Sequence, residues 1–462
     1  MGEEFVMNFI DESRLTRALR RAEGALAKEV REILGKALLL KGLSLEEAAI
    51  LLHIEDMELL ERLFTTAKSI KDEIYGKRLV FFAPLYISNY CSNNCLYCGF
   101  RKDNREMSRR ELTIEEIKEE TRLILEQGHK RILLLSGERE DGFERIIQAI
   151  KAIYSVKDSK GNSIRRVNLE IAPLEEEQLR EISRAKIGTY TVFQETYHRE
   201  TYKKMHPEGK KADYERRLSI MDMALKNGLN DVGIGALFGL YDYKFEVLAL
   251  LQHARHLDDS YGIGPHTISV PRVKPANNAP GSINIPKPVS DTDFKKLVAV
   301  LRLAVPYTGI ILSTREPKNL RSELFNLGIS QISAGSKTSP GGYYSRGGGE
   351  QFSLNDTRNT GEVIRDVIHR GFVPSFCTGC YRRGRVGKDF MDLAKPGLIK
   401  AHCLPNALAT LQEYIEDYAD AETKKRGEEL IEKMMRQVPR ERRKRAKEYR
   451  SRIKKGERDL YF

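Results

Sequence analysis

The residues best suited to chemistry are six cysteines, which fall into two groups of three. Cys91, Cys95 and Cys98 lie within YCSNNCLYCGF at the spacing C-x3-C-x2-C. Cys377, Cys380 and Cys403 follow C-x2-C-x22-C, and no cysteine is left over. Grouped thiolates bind zinc or iron–sulfur clusters, and both centres usually take four ligands. Three thiolates on a four-iron cubane leave one iron without a protein ligand, and an open iron can bind and polarise a small molecule. The competing reading of the first group is a zinc knuckle completed by a distant cysteine or histidine. For the second group it is a Cys3His zinc site using His402, although a histidine adjoining Cys403 directly would reach the same metal only with strain.

Such ligands need a scaffold, and the sequence predicts one. Residues 12–78 show helical periodicity, with Ser44 and Glu47 spaced as a capping box. Beyond Gly76 short β-rich runs alternate with helix-length segments: RLVFFAPLYI, RILLLS, RVNLEIA, GTYTVFQ, DVGIGALF, HTISVPRV, TGIILST and ISQISAG. Eight strand–helix repeats predict an α/β fold of the closed (β/α)8, TIM-like type, with a doubly wound open sheet as the alternative. From about residue 346 the strand signal fades, and a loop (SRGGGEQFSLNDTR) leads into helices such as EVIRDVIHRGF and HCLPNALATLQEYIEDYA. The expected division is therefore 1–78, a helical region; 79–345, the barrel; and 346–462, a mainly helical C-terminal domain carrying the second cysteine group.

The net charge of +12 invites a nucleic-acid reading, but much of the excess sits in one tail, residues 436–458. That tail reads as a basic solvated helix, and no nucleic-acid motif elsewhere supports the alternative. No run of eighteen apolar residues suggests a membrane span, and the acidic N-terminus lacks a signal-peptide pattern. The expectation is a cytoplasmic protein, in which grouped cysteines hold metal rather than form disulfides.

The first cysteine spacing resembles that of the radical S-adenosylmethionine (SAM) enzymes, in which the cofactor fills the open iron's place. In that family an aromatic stands where Tyr97 stands, packing beside the adenine. The resemblance implies cofactor contacts from Ser136, Gly137 and Glu138 after the second strand, and from Gln194 and Glu195 after the fourth. It also implies that Arg217 pairs with the cofactor carboxylate and that Gly233 to Leu240 touches the adenine. Together with the second cysteine group, QETYHRETYKKMHP, GPHTISVPR and SAGSKTSPGGY resemble the tyrosine lyases of [FeFe]-hydrogenase maturation over essentially the whole chain.

That resemblance implies two [4Fe–4S] clusters, SAM, and an additional iron bridged to the second cluster by a free cysteine. His266 would ligate that iron, although a lone histidine opening a strand is more often structural. L-tyrosine would be cleaved to p-cresol and dehydroglycine, and the fragment converted to carbon monoxide and cyanide. An electron donor such as ferredoxin or flavodoxin and a hydrogenase maturation scaffold protein would be the partners. By placement alone, Arg315 and Ser333 are expected at the substrate, while His198 and His206 read as structural. Two rivals stand beside this reading: the related 2-iminoacetate synthase of thiazole biosynthesis, which lacks the second cysteine group, and a non-catalytic iron–sulfur scaffold.

Overall fold

The structure is a computed structural model that describes residues 9–344 and 349–462. The first eight residues of the acidic N-terminus and residues 345–348 of the expected loop lie outside the described residues. Four helices, Glu12–Ala22, Ala27–Ala37, Leu45–Leu52 and Met57–Ile74, precede the first strand. The expected capping box is present: Glu47 N donates to Ser44 Oγ at 3.0 Å, and Ser44 N to the Glu47 carboxylate at 2.7 Å.

Eight parallel strands follow: β1 (Arg78–Tyr86), β2 (Arg131–Leu135), β3 (Arg166–Glu170), β4 (Tyr190–Thr191), β5 (Val232–Gly235), β6 (Thr267–Ser269), β7 (Gly309–Leu312) and β8 (Ile329–Ser333). Each pairs with its successor, and β1 pairs with both β8 and β2. That last pairing closes the barrel and excludes the open sheet.

Side chains alternate across the strands with period two. Ile132, Leu134, Val167, Leu169 and Ile310 are fully buried on the outer face, where the helices pack. The inner face instead presents Asn168, Thr189, Thr191, Thr267, Ser269 and Gln331 around a cavity of about 1140 Å³, part of it open to solvent. Barrels of this kind usually fill their interior with bulky branched residues. Leaving it polar and hollow forgoes roughly 1.5–3 kcal/mol per aliphatic side chain that could have been buried. Glycines keep the space open. A Cβ on Gly309 would stand 2.8 Å from Gln331 Nε2, and one on Gly235 2.8 Å from the Phe193 ring.

The strand signal was expected to end with the barrel, but the structure adds β9 (Val373–Ser375), paired parallel to Arg78–Val80 of β1. β2 pairs only with Ala83–Tyr86, so it leaves the first part of that edge free for β9. Three residues including a proline carry almost no strand periodicity, which is why the pattern missed it.

The basic tail also differs from expectation. Its helix, Arg440–Lys454, buries Ala446, Tyr449 and Ile453 and is not merely a solvated rod. Arg450 forms ion pairs with Glu428 and Glu432 and donates to Gln412 Oε1 at 3.0 Å. Helix Lys400–Asp417 contains Pro405, whose missing N–H orphans the carbonyl of Ala401. Arg442 Nη1 donates to that carbonyl at 3.0 Å, so the tail completes the helix that carries Cys403. No described helix is long and apolar enough to cross a membrane.

Candidate functional site

β1 delivers the chain to the C-terminal mouth of the barrel, where the first cysteine loop begins. Backbone bonds stitch the loop to neighbouring segments: Ser92 N to Glu138 O at 2.9 Å, Leu96 N to Met205 O at 3.0 Å, and Gly99 N to Gln351 O at 2.9 Å. The Pro-rich segment between β6 and β7 contributes Gly281 N, which donates to Leu96 O at 2.8 Å. Gly137 is required by close approach, because a Cβ there would lie 2.1 Å from Tyr90 O.

The three free thiols line one cavity of about 630 Å³ together with Glu138, Glu195, Lys211 and Arg217. Among the described residues no three His, Cys, Asp or Glu groups converge on a point suited to a single metal ion. Thiols arranged around a space suit a polynuclear cluster, whose irons are separate, better than one tetrahedral zinc. Burial pushes Cys98 up to about 11 and raises Cys91 and Cys95 as well. Bound iron would reverse this, since a coordinated thiol is deprotonated outright.

Two carboxylates and two cations balance each other around these thiols. Lys211 Nζ lies 2.7 Å from Glu195 and 3.7 Å from Glu138, and Arg217 Nη1 lies 3.1 Å from Glu138. Burial alone would raise both acids, but Arg217 and Lys211 more than offset it and hold them below the usual carboxylate range. Asn93 Nδ2 also donates to Glu138 at 2.9 Å. Glu195 adopts the left-handed backbone conformation (φ 68°), a strained state for a glutamate and one typical of functional positions.

Most of the residues expected here are brought together. Tyr97 lines the cavity, its hydroxyl 2.8 Å from His206 Nε2, and Ser136 and Gly137 line it too. Leu237 and Leu240 pack against Cys95 and Tyr97, as expected of the segment after β5. Gln194 is not brought in. Its side chain is buried outside the cavity and reaches only the Tyr214 carbonyl, at 3.5 Å. Strand alternation explains this, because Phe193 and Glu195 take the inward positions.

Lys211 and Gln351 were missed. Lys211 sits in a KK pair within a 3-10 turn and reads as surface charge. Gln351 belongs to the segment folded over the barrel top, where Nε2 stands 3.7 Å from Cys98 Sγ and Oε1 accepts from Tyr86 at 2.8 Å.

Arg315 and Ser333 line the interior cavity directly beneath, which shares Tyr86, Tyr97, Cys98 and Glu195 with the thiol cavity. Arg315 stacks on the Phe352 ring, 3.3 Å from its centroid.

At the opposite mouth, Cys377, Cys380 and Cys403 line a cavity of about 530 Å³ with His266, Arg78, Arg131 and Asn406. β9 places Cys377 two residues beyond its end, and helix Lys400–Asp417 supplies Cys403. Burial pushes Cys403 up to about 12, against the opposing effect of Arg78. His266 Nδ1 lies 3.3 Å from Asp231 Oδ2, and burial keeps the ring neutral, the form in which a histidine binds metal. His402 faces away, with Nε2 3.1 Å from Arg442, which leaves the Cys3His site without its fourth ligand. Orphaned donors crowd this mouth: Arg78 Nε, Arg131 Nε and Asn406 Nδ2 have no hydrogen-bond partner. Gln331 lines both this cavity and the barrel interior, joining the two.

His198 and His206 lie outside both thiol sites. His198 caps helix Arg199–Met205, and His206 is buried behind Tyr97.

Residues 85–269 match the Radical SAM superfamily, and residues 269–373 the Biotin and Thiamin Synthesis associated domain. The 2-iminoacetate synthase of Escherichia coli (strain K12) is 33% identical over 325 residues, 68% of this chain and 82% of that protein. The crystal structure of HydG, a maturase of the [FeFe]-hydrogenase, superposes with a TM-score of 0.95 at 50% identity, covering 98% of this chain and all of that one. HydG from Carboxydothermus hydrogenoformans gives 0.83 at 42% identity, covering 95% and 97%. With a hollow barrel, a C-x3-C-x2-C loop at its mouth and these relatives, the chain belongs to the radical SAM superfamily and, within it, to the family of the hydrogenase maturase HydG.

Proposed function

We propose that the chain is a radical SAM carbon–carbon lyase of [FeFe]-hydrogenase maturation, acting in the cytoplasm. It would cleave L-tyrosine between Cα and Cβ to p-cresol and dehydroglycine. The fragment would then become carbon monoxide and cyanide, for an iron–carbonyl–cyanide unit destined for the hydrogenase. The observation that carries this reading is the pair of thiol triplets at opposite mouths of one hollow barrel.

Cys91, Cys95 and Cys98 would hold one [4Fe–4S] cluster, and Cys377, Cys380 and Cys403 a second. His266 would hold an additional iron, tied to the second cluster by a free cysteine and aligned through Asp231. When bound, the first cluster with SAM would supply radical chemistry, and the second site a set of irons able to take diatomic ligands.

The chain's own residues do the rest. Arg217 and Lys211 offer cations to the cofactor's carboxylate, while Glu138 and Glu195 accept hydrogen bonds from its ammonium and ribose. Arg315 and Ser333 receive the tyrosine carboxylate in the interior. The polar lining down to Gln331 lets a small fragment pass between mouths without meeting bulk water. The division at 1–78, 79–345 and 346–462 belongs to the same proposal, as do ferredoxin or flavodoxin as electron donor and a maturation scaffold as acceptor.

A 2-iminoacetate synthase would share the first stage but leave the second triplet unused. Anaerobically reconstituted protein should bind about eight irons or more, one cubane per triplet plus any additional iron. With tyrosine, SAM and reductant it should release both p-cresol and carbon monoxide. About four irons, with p-cresol and no carbon monoxide, would instead establish the thiazole-type activity.

A further inference from the structure

Glu170 ends β3 on its inward face and lines both the interior cavity and the thiol cavity above it. Other carboxylates at and around the upper half of the barrel are occupied. Glu138 and Glu195 pair with Arg217 and Lys211, Glu246 accepts from Tyr197 N at 2.9 Å, and Glu316 pairs with Lys274 at 3.3 Å. Glu170 alone among these has no hydrogen bond or ion pair, although even a half-buried carboxylate is costly to leave without one.

Arg315 lines the same interior cavity, close enough to act on Glu170 electrostatically yet beyond ion-pair distance. Its guanidinium makes one long bond, 3.4 Å to Arg272 O, and keeps its remaining donors. A lone anion and an underused cation thus share a cavity that also carries the apolar side chains Phe82, Leu133, Phe193 and Ile311. That combination matches a zwitterion with a hydrophobic side chain.

We propose that Glu170 is the subsite for the α-ammonium group of an amino-acid substrate, held opposite a carboxylate on Arg315. The inference rests on reading the cavity as an amino-acid site, and it adds the residue that distinguishes an amino acid from the corresponding carboxylic acid. It also gives Glu170 a pH signature. Burial, reinforced by Glu195, lifts it to about 7 against Arg315, Lys211 and Arg217, so it would lose its charge just below neutrality. Of the other titratable side chains lining the cavity, the phenols of Tyr86 and Tyr97 are pushed upward by burial and stay neutral there, and Cys98 would be tied to the cluster.

The test compares L-tyrosine with 3-(4-hydroxyphenyl)propanoate, which lacks only the ammonium. Both are titrated into SAM-loaded, cluster-reconstituted enzyme, anaerobically and without reductant. Wild type should prefer tyrosine, and Glu170→Gln should reduce that preference about 10- to 100-fold, the range for a hydrogen bond to a charged group. SAM affinity and iron content should not change. Glu170→Asp should restore part of the preference, which also guards against a Gln variant that fails to load. Wild-type tyrosine affinity should fall as pH drops through about 7, and Glu170→Gln should be flat there. An undiminished preference in Glu170→Gln would overturn the assignment, as would a loss of SAM affinity with the preference intact, which would place the carboxylate on the cofactor. If wild type failed to bind tyrosine at all, the amino-acid reading itself would fall, a result separable from either of these.

Discussion

The two mouths of the barrel each present three thiols, yet they are built by opposite means. The upper triplet occupies one short loop, with all three ligands carried by eight consecutive residues. The lower triplet is assembled from β9, the turn after it and helix Lys400–Asp417. Their electrostatics differ as well. Around Cys91, Cys95 and Cys98 two carboxylates face two cations, so that rim is balanced and suits a zwitterionic cofactor. Around Cys377, Cys380 and Cys403 the guanidinium Nε atoms of Arg78 and Arg131 have no hydrogen-bond partner, and the mouth is left cationic. If the lower mouth holds the proposed cluster, its anionic occupant would have little use for compensating acids. Asp231 is the exception, with Oδ2 3.3 Å from His266 Nδ1 and neither oxygen hydrogen-bonded.

The sharpest break in the comparison is expected from Cys95→Ala. With two thiolates left the upper cluster should be lost, and with it 5′-deoxyadenosine, p-cresol and carbon monoxide together. Normal 5′-deoxyadenosine formation in that variant would remove the radical assignment. Cys377→Ala should act on one mouth only. Iron should fall by roughly half, a cubane's share, and carbon monoxide should nearly vanish while p-cresol formation persists. An unchanged ratio of carbon monoxide to p-cresol would mean that the lower triplet has no part in the second stage.

The same contrast governs what the sequence revealed. The upper mouth was legible because its three ligands are close in sequence and because the resemblance to radical SAM enzymes pointed to Glu138 and Glu195 after strands and to Arg217, which lies within helix Tyr214–Lys226. Cys91, Glu138, Glu195 and Arg217 therefore came together as expected. Gln194 did not, because a one-residue choice of strand face is not fixed until pairing sets the register. Lys211 and Gln351 were invisible, since their loops carry no periodicity. At the lower mouth the cysteines were recognisable by type and spacing, and His266 only through the resemblance, since a lone histidine opening a strand reads as structural. Arg78 and Arg131 open strands and read as ordinary strand-end charges until closure turns them inward. β9 and the packed tail depend on contacts far apart in the chain, which local pattern cannot report.

A smaller effect should arise between the mouths. Gly309→Ala would place a Cβ 2.8 Å from Gln331 Nε2 and 3.2 Å from His266 O, at the junction of the interior and lower cavities. Both thiol triplets are untouched, so iron content and p-cresol should stay near wild type. Carbon monoxide per p-cresol should drop severalfold as the fragment escapes or stalls. Equal losses of both products would show that the substitution had disturbed the barrel rather than the passage.

The mildest effect is expected at the tail, and it separates the tail's packed face from its solvated one. Arg442 satisfies the carbonyl that Pro405 orphans, two residues before Cys403, whereas Lys444 and Lys447 are exposed and without an ion pair. Losing one hydrogen bond to a half-buried carbonyl costs about 1 kcal/mol. Arg442→Gln should therefore lower the thermal midpoint by a few degrees at most and make the lower cluster easier to remove with chelator. The upper cluster and p-cresol formation should be unaffected. Lys444→Gln with Lys447→Gln should change neither, because exposed charges without geometry contribute little. Should the lysine pair destabilise the protein as much as Arg442→Gln, the tail would be acting through its net charge. Should neither variant alter chelator sensitivity, the carbonyl of Ala401 would be adequately served by water, and the tail would be peripheral to the lower mouth after all.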